Sequence, residues 1–276
     1  MSLTSPSVST STTLSVPGAE LYYEVRGAGP LLVLVGAPMD AASFAPVADL
    51  LATDHTVLTS DPRGIGHSPV EDPDQHCTPE MRADDLSRLL AHLDAGPAAV
   101  LGSSGAAVSV LALVQSHPEQ VHTGIAHEPP LDELLPDREQ LRTQTEAMIA
   151  SYLSGDTRGA WVQFLATANI QLPDEVFEMM FGGPREGQAA ADEYYQFAHM
   201  LRGTTRWQPD LDRLRTVSTR IVVGIGEEST GQLCDRASRA LAAGLDLEPT
   251  LFPGDHIGFM GAPDAFAARL RTVLPA

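Results

Sequence analysis

Cysteine is scarce: Cys77 and Cys234 are the only two among 276 residues. Two thiols cannot build a disulfide framework or a multi-thiolate metal site, and they read as buried thiols rather than a bridge. Basic residues are also few, 17 against 36 acidic ones, which gives a formal net charge of -19. A surface this acidic repels nucleic acid and anionic lipid, so neither is an expected partner. No run approaches the roughly 20 apolar residues needed to span a bilayer, so no membrane association is expected. Residues 1–17 are Ser/Thr-rich and have neither a basic n-region nor an apolar h-region. They read as a flexible tail rather than a secretory signal, and the protein is expected in the cytoplasm. No His/Cys/Asp/Glu group has metal-ligand spacing such as H-E-x-x-H, and no phosphate-binding loop is present. Gly64-x-Gly66 and Gly224-x-Gly226 lack the remainder of a dinucleotide fingerprint. No metal and no cofactor are therefore expected, and a small molecule is the expected substrate. The oligomeric state is left open, a homodimer included.

The chain does have enough apolar material for a sizeable core, 43% against 19% charged residues. Its first half alternates short apolar runs with helical patterns. Strands are expected at 21–25, 31–35, 55–59, 98–101 and 123–126, and Leu31–Val35 is apolar enough to be buried on both faces. Helices are expected at 45–52, 81–93 and 106–115. Such alternation argues for a parallel sheet covered by helices. From Leu131 to Asp212 no strand is convincing, and 137–153, 159–168, 174–181 and 188–201 look helical. Met179, Met180, Phe181, Tyr194, Tyr195, Phe197, Met200 and Trp207 concentrate there. Alternation resumes with a strand at 220–223, a helix at 237–243, a strand at 248–252 and a helix at 263–274. The expected architecture is one α/β domain over 18–130 and 213–276, with a helical insertion over 131–212.

Three motifs carry chemistry. Gly102-Ser103-Ser104-Gly105-Ala106 lies between an expected strand and helix, with a small residue two before and two after Ser104. This suits a nucleophile elbow, a turn so tight that larger neighbours would clash. The helix start behind it favours developing negative charge. Asp61-Pro62-Arg63-Gly64-Ile65-Gly66-His67-Ser68 follows a strand, and Gly254-Asp255-His256 lies near the C-terminus.

In this order, D-x-R-G-x-G-x-S, then a Ser elbow, then Gly-x-His, the chain resembles the α/β-hydrolase superfamily over roughly 18–275. The elbow and the His127-Glu128-Pro129-Pro130 stretch look most like uncharacterised hydrolases of high-GC bacteria. The resemblance implies an α/β-hydrolase fold, a mostly parallel sheet covered by helices, with segment 131–212 as a cap. It implies Ser104 as nucleophile and His256 as its base. It implies an oxyanion hole from the backbone N–H groups of Gly105 and Ala37, since Pro38 has no N–H. Val35 stands where the family usually has the His of a His-Gly pair, and Ala106 where the elbow usually ends in Gly. The acid is open between two positions. Glu228 is one residue early in the loop where the family usually has Asp, a place Ser229 fills. Glu128 ends the strand after the nucleophile helix, where haloalkane dehalogenases and some cofactor-independent ring-cleaving dioxygenases of this superfamily put their acid, and it is preferred. His67 and His127 read as pocket-lining or hydrogen-bonded residues rather than bases. The cap's Met and aromatic side chains pack it onto the core, and some face the pocket.

The expected function is a serine hydrolase acting on an ester, lactone or thioester of a small to medium apolar substrate, through an acyl-enzyme. Two other readings remain: a cofactor-independent oxygenase or peroxidase-type enzyme using the His–acid pair, and a non-hydrolytic accessory protein.

Overall fold

The computed structural model describes residues 10–183 and 185–275. Eight strands form one sheet: β1 Thr10–Val16, β2 Ala19–Gly27, β3 Leu31–Ala37, β4 Thr56–Ser60, β5 Ala98–Ser104, β6 Val121–His127, β7 Arg220–Gly226 and β8 Thr250–Phe252. Their spatial order is β1-β2-β4-β3-β5-β6-β7-β8. β2 pairs antiparallel with β1 and β4, and every pairing from β4 to β8 is parallel. This is the expected mostly parallel sheet, with one correction at its edge. The expected tail over 1–17 contains strand β1, which pairs along its whole length with β2. Its Ser/Thr side chains are mostly exposed, as an edge strand's are, so no apolar alternation marks it in the sequence. The remainder of that tail, residues 1–9, lies outside the described residues.

Helices α1 Ala45–Leu51, α2 Pro79–Leu93 and α3 Gly105–Ser116 belong to the first half. Over the insertion run α4 Arg138–Leu153, α5 Thr157–Ala168, α6 Asp174–Phe177, α7 Gly187–Tyr195 and α8 Leu201–Thr205. α9 Leu211–Thr216, α10 Leu233–Gly244, α11 Gly258–Gly261 and α12 Pro263–Val273 complete the chain. The helices expected at 174–181 and 188–201 both give way to π-helical turns, at Glu178–Gly182 and Gln196–Met200. A π turn adds a residue to the repeat and shifts which side chains face inward, which a 3.6-residue pattern cannot register.

Burial explains the core. All seven residues of β3 are buried, as expected of a strand covered on both faces. Ten of the twelve residues of α3 are buried, so this helix is held between the sheet and α2. On the opposite face Phe44, Phe252, Phe259 and Phe266 are almost wholly buried, and Phe44 stacks on Phe259 at 4.4 Å between centroids. This cluster anchors the segment 253–257 between β8 and α11.

The strand order fixes where a site can form. From β3 the chain passes to β4 on one side and then to β5 on the other. A crevice opens at the carboxyl ends of strands where the order reverses in this way. Ala37 ends β3, Ser104 ends β5 and His127 ends β6.

Candidate active site

Ser104 stands in the left-handed region at φ 57 and ψ -126, at the junction of β5 and α3. Such a backbone is strained for any residue with a Cβ and persists only where its surroundings hold it. They do so tightly here. A Cβ on Gly102 would meet the carbonyl oxygen of Ala106 at 2.3 Å, so the residue two before Ser104 must be glycine. Ala106, two after it, fits with its methyl group buried. The neighbouring Ser103 is fully buried, and its hydroxyl lies 3.1 Å from Nδ1 of His127. Ser104 turns the other way, into a cavity of about 310 Å³.

That cavity brings together Ser104, Gly105, Ala37 and His256. Ala37 and Ser104 are register partners on β3 and β5. Gly105 lies so close to this strand end that an added Cβ would sit 2.7 Å from the Ala37 carbonyl oxygen. Val35, in the place of the family's usual His, is a buried strand residue. The loop it would have braced is held another way. The buried carboxylate of Asp61 accepts the backbone N–H of Ala41 at 2.7 Å and that of His67 at 2.7 Å. The D-x-R-G-x-G-x-S motif is thus a brace: Arg63 forms a two-pronged pair with Asp85, and the Ser68 hydroxyl donates to the Asp61 carbonyl.

Nδ1 of His256 lies 2.5 Å from Oε2 of Glu128. The other oxygen, Oε1, accepts the backbone N–H of Gly226 at 2.7 Å. Glu128 is fully buried, at φ 53, with its own N–H donated to the Gly224 carbonyl. Burial raises its pKa, but the hydrogen bond from His256 and that ring's charge outweigh it and hold the carboxyl down at about 2. Glu128 is therefore an ionised acceptor of fixed orientation. The side chain of Glu228 is exposed. Its backbone N–H instead donates to the Gly254 carbonyl, 3.0 Å away, and braces the loop that carries His256. The Ser104 hydroxyl is not hydrogen-bonded to His256 in this structure; such contacts commonly tighten only when substrate is bound.

His127 and His67, the two other histidines singled out in the sequence, stand apart. His127 is fully buried, edge-on to Phe252 and Phe266, and burial lowers its pKa to about 4. It is a neutral core histidine outside the cavity. His67 is largely exposed and bonds to Asp61.

The insertion supplies most of the cavity wall. Met148, Trp161, Phe164, Phe181 and Met200 line it. Trp161 is held there by its indole N–H, which donates to Glu193 at 2.7 Å. Of the side chains singled out in the sequence, Met179 and Tyr194 are instead exposed, Phe197 stacks on Tyr152, and Trp207 donates to Glu80. Both cysteines are free. Cys77 is buried as expected, whereas Cys234 lines the cavity with its sulfur within 4.8 Å of Glu128 and His256. Burial, and the charges of Glu128 and Asp132, push this thiol well above its ordinary pKa, so it is a neutral wall group.

Asp132 is the site residue that sequence reasoning missed. It lines the cavity, is only 3% exposed, and its Oδ1 has no hydrogen-bond partner among the described residues. Burial raises its pKa to about 7, with the charges of Glu133 and Asp137 adding to the effect and Arg236 opposing it. The unfolded carboxyl ionises near 3.8, so the folded state loses stability as pH rises from that value towards 7. Asp132→Asn is therefore expected to stabilise the protein more at pH 8 than at pH 4.5, by on the order of 3 kcal/mol. Denaturant unfolding of both proteins at the two pH values measures it, and an equal shift at both would show that this carboxyl does not carry the penalty.

A mostly parallel sheet with a Ser elbow, and with a His–Glu pair at its carboxyl edge, defines an α/β hydrolase, and the chain belongs to that family. The family model described as alpha/beta hydrolase fold matches residues 29–209. Among curated proteins, the uncharacterized hydrolase YraK of Bacillus subtilis is 34% identical over 275 residues, covering 95% of each chain. The zearalenone hydrolase of Bionectria ochroleuca is 28% identical over 274 residues, covering 94% of this chain and 95% of that protein. Among solved structures, a hydrolase of Pseudomonas aeruginosa superposes with a TM-score of 0.69 at 20% identity, covering 96% of this chain and 98% of the other. The protein is thus a hydrolase of the α/β fold. No helix among the described residues is long and apolar enough to cross a membrane.

Proposed function

We propose that the protein is a serine hydrolase that cleaves an ester, lactone or thioester of a small to medium apolar substrate through an acyl-enzyme. The observation that carries this reading is the 2.5 Å contact between His256 Nδ1 and Glu128 Oε2, at the wall of the cavity that Ser104 enters. A carboxylate on Nδ1 fixes the tautomer in which Nε2 is the free base, and it stabilises the imidazolium that forms later.

In this mechanism the Ser104 oxygen attacks the carbonyl carbon while His256 Nε2 takes its proton. The carbonyl oxygen becomes an oxyanion held by the N–H groups of Gly105 and Ala37, with the N-terminus of α3 behind it. His256 gives its proton to the leaving alcohol or thiol as the bond to the carbonyl breaks. Water, deprotonated by His256, then attacks the acyl-Ser104 ester, and Ser104 regains its proton. Support for the apolar substrate comes from the cavity wall of Met148, Trp161, Phe164 and Phe181. Kinship with a protein named zearalenone hydrolase, across nearly the whole of both chains, supports a hydrolytic reaction.

The test is turnover of a panel of 4-nitrophenyl esters and aryl lactones, with dissolved oxygen followed in the same cuvette. Product release without oxygen uptake, abolished by His256→Ala, is expected. Oxygen uptake without an added cofactor would transfer the His–Glu pair to oxygenase chemistry, and neither activity would leave an accessory role.

A further inference from the structure

The carboxyl of Asp132 is unlike every other polar group of the cavity. It begins the short turn Asp132–Leu134, four residues after Glu128 and packed against α10. It is 97% buried, yet Oδ1 meets no donor among the described residues. The arginine whose charge reaches it, Arg236, is committed to Asp137 at 2.6 Å. A buried polar group without a partner costs free energy, and such groups are rare in folded proteins unless something else satisfies them. The cavity that this carboxyl lines is walled in large part by apolar side chains, Met148, Phe164 and Leu233 among them.

We propose that Asp132 forms a binding subsite for a hydroxyl group on the otherwise apolar part of the substrate. The inference deepens the proposed hydrolase reading, since the same cavity would hold the ester at Ser104 and the hydroxyl at Asp132. A hydroxyl fits the site in both protonation states. It donates to the carboxylate, and it donates to the carbonyl oxygen of the acid or accepts from its O–H. The burial-raised pKa of about 7 means that both forms are populated near neutrality. The groups acting on that equilibrium are Glu133, Asp137 and Arg236. An ammonium group fits less well. Its charge and its three donors would have to leave water together, a desolvation cost that a single carboxyl repays only in part. An anion is repelled by the nearby carboxylates. The subsite gives selectivity in one direction: a ligand lacking the hydroxyl leaves the buried carboxyl unpaired, so the site rejects the bare hydrocarbon analogue.

Binding can be read without catalysis, because Trp161 lines the same cavity. The probes are three non-ester ligands of equal shape: 4-butylcyclohexanol, butylcyclohexane and 4-butylcyclohexylamine. Quenching of Trp161, checked by calorimetry, gives Kd for each in the wild type, Asp132→Leu and Asp132→Asn. The expected result is that the wild type binds the alcohol at least about tenfold tighter than the hydrocarbon. Asp132→Leu should abolish or invert that preference, and Asp132→Asn, whose amide also pairs with a hydroxyl, should keep part of it. Equal Kd values for alcohol and hydrocarbon in the wild type would overturn the subsite, as would a preference that survives Asp132→Leu. Tightest binding of the amine would overturn it in favour of a cation site. Ester turnover is measured separately on the same preparations. A protein that binds the alcohol selectively but hydrolyses nothing therefore rejects the hydrolase reading while keeping the subsite, and the reverse result rejects only the subsite.

Discussion

Ser104→Ala is expected to lower ester turnover by at least about 10⁴-fold while leaving the melting temperature within a few degrees of the wild type. The size of the effect follows from the mechanism: without a nucleophile no acyl-enzyme forms, and only binding and the oxyanion donors remain. The small effect on stability follows from the setting, because the Ser104 hydroxyl points into the cavity rather than into packed core. A fluorophosphonate probe should label the wild type once and Ser104→Ala not at all. Ser103 provides an internal control one residue away. Its hydroxyl is fully buried beside His127, on the other side of the strand end, so Ser103→Ala should still be labelled. Labelling that persists in Ser104→Ala and disappears in Ser103→Ala would reverse the assignment.

The second large effect is expected at the acid. Glu128→Gln should lower kcat by at least ~100-fold, and Glu228→Gln by less than ~10-fold. Both changes remove one negative charge, so their contrast isolates position. The Glu128 carboxylate joins two loops, taking the His256 ring on one oxygen and the Gly226 N–H on the other. A Gln amide can keep the Gly226 bond, but at Oε2 it offers either a donor towards Nδ1 or an acceptor without charge. The ring then adopts the wrong tautomer, or its imidazolium goes unstabilised. Glu228 acts through its backbone N–H, which a Gln retains, and its side chain is in solvent. The carboxyl of Glu128 is held near 2, so its own protonation should leave no mark on the activity profile above pH 4. Its ionisation contributes stability that is present above 4.5 and is lost as pH falls towards 2. A larger loss at Glu228 would move the acid to the later loop, and little effect from either would favour a Ser–His dyad or a non-hydrolytic role.

The parts of the fold read correctly in the sequence are those where local pattern and burial agree. Leu31–Val35 is apolar without interruption because β3 is buried on both faces, and the stripe of Leu86, Leu89 and Leu90 in α2 is the face turned to the core. The parts misread are those where tertiary context supplies the reason. β1 is polar and exposed, and it is a strand because β2 offers it an edge to pair with. The insertion contains apolar residues in plenty, but it is broken by π turns at 178–182 and 196–200 that a 3.6-residue pattern cannot register. Met179 went to the surface, while Trp161 and Phe164, ordinary members of an amphipathic helix in the sequence, reached the cavity.

The candidate site divides in the same way. Chain order and residue type alone put Ser104 in an elbow and His256 after the last strand, because the elbow demands small neighbours at fixed offsets and the family keeps its motifs in order. Those constraints are local, within five residues of each group, so a linear sequence can carry them. It could not decide between Glu128 and Glu228, since each lies at the end of a strand at the carboxyl edge. The sheet brings Glu128 and not Glu228 to His256: β6 lies between β5 and β7, so a side chain leaving its end meets the His loop, whereas the Glu228 side chain is exposed. Nor does anything around Asp132 in the sequence distinguish it from the many acidic residues of a chain with net charge -19. Only the folded chain removes that one carboxyl from water without giving it a partner, because burial is a property of what packs around a residue and not of the residue itself.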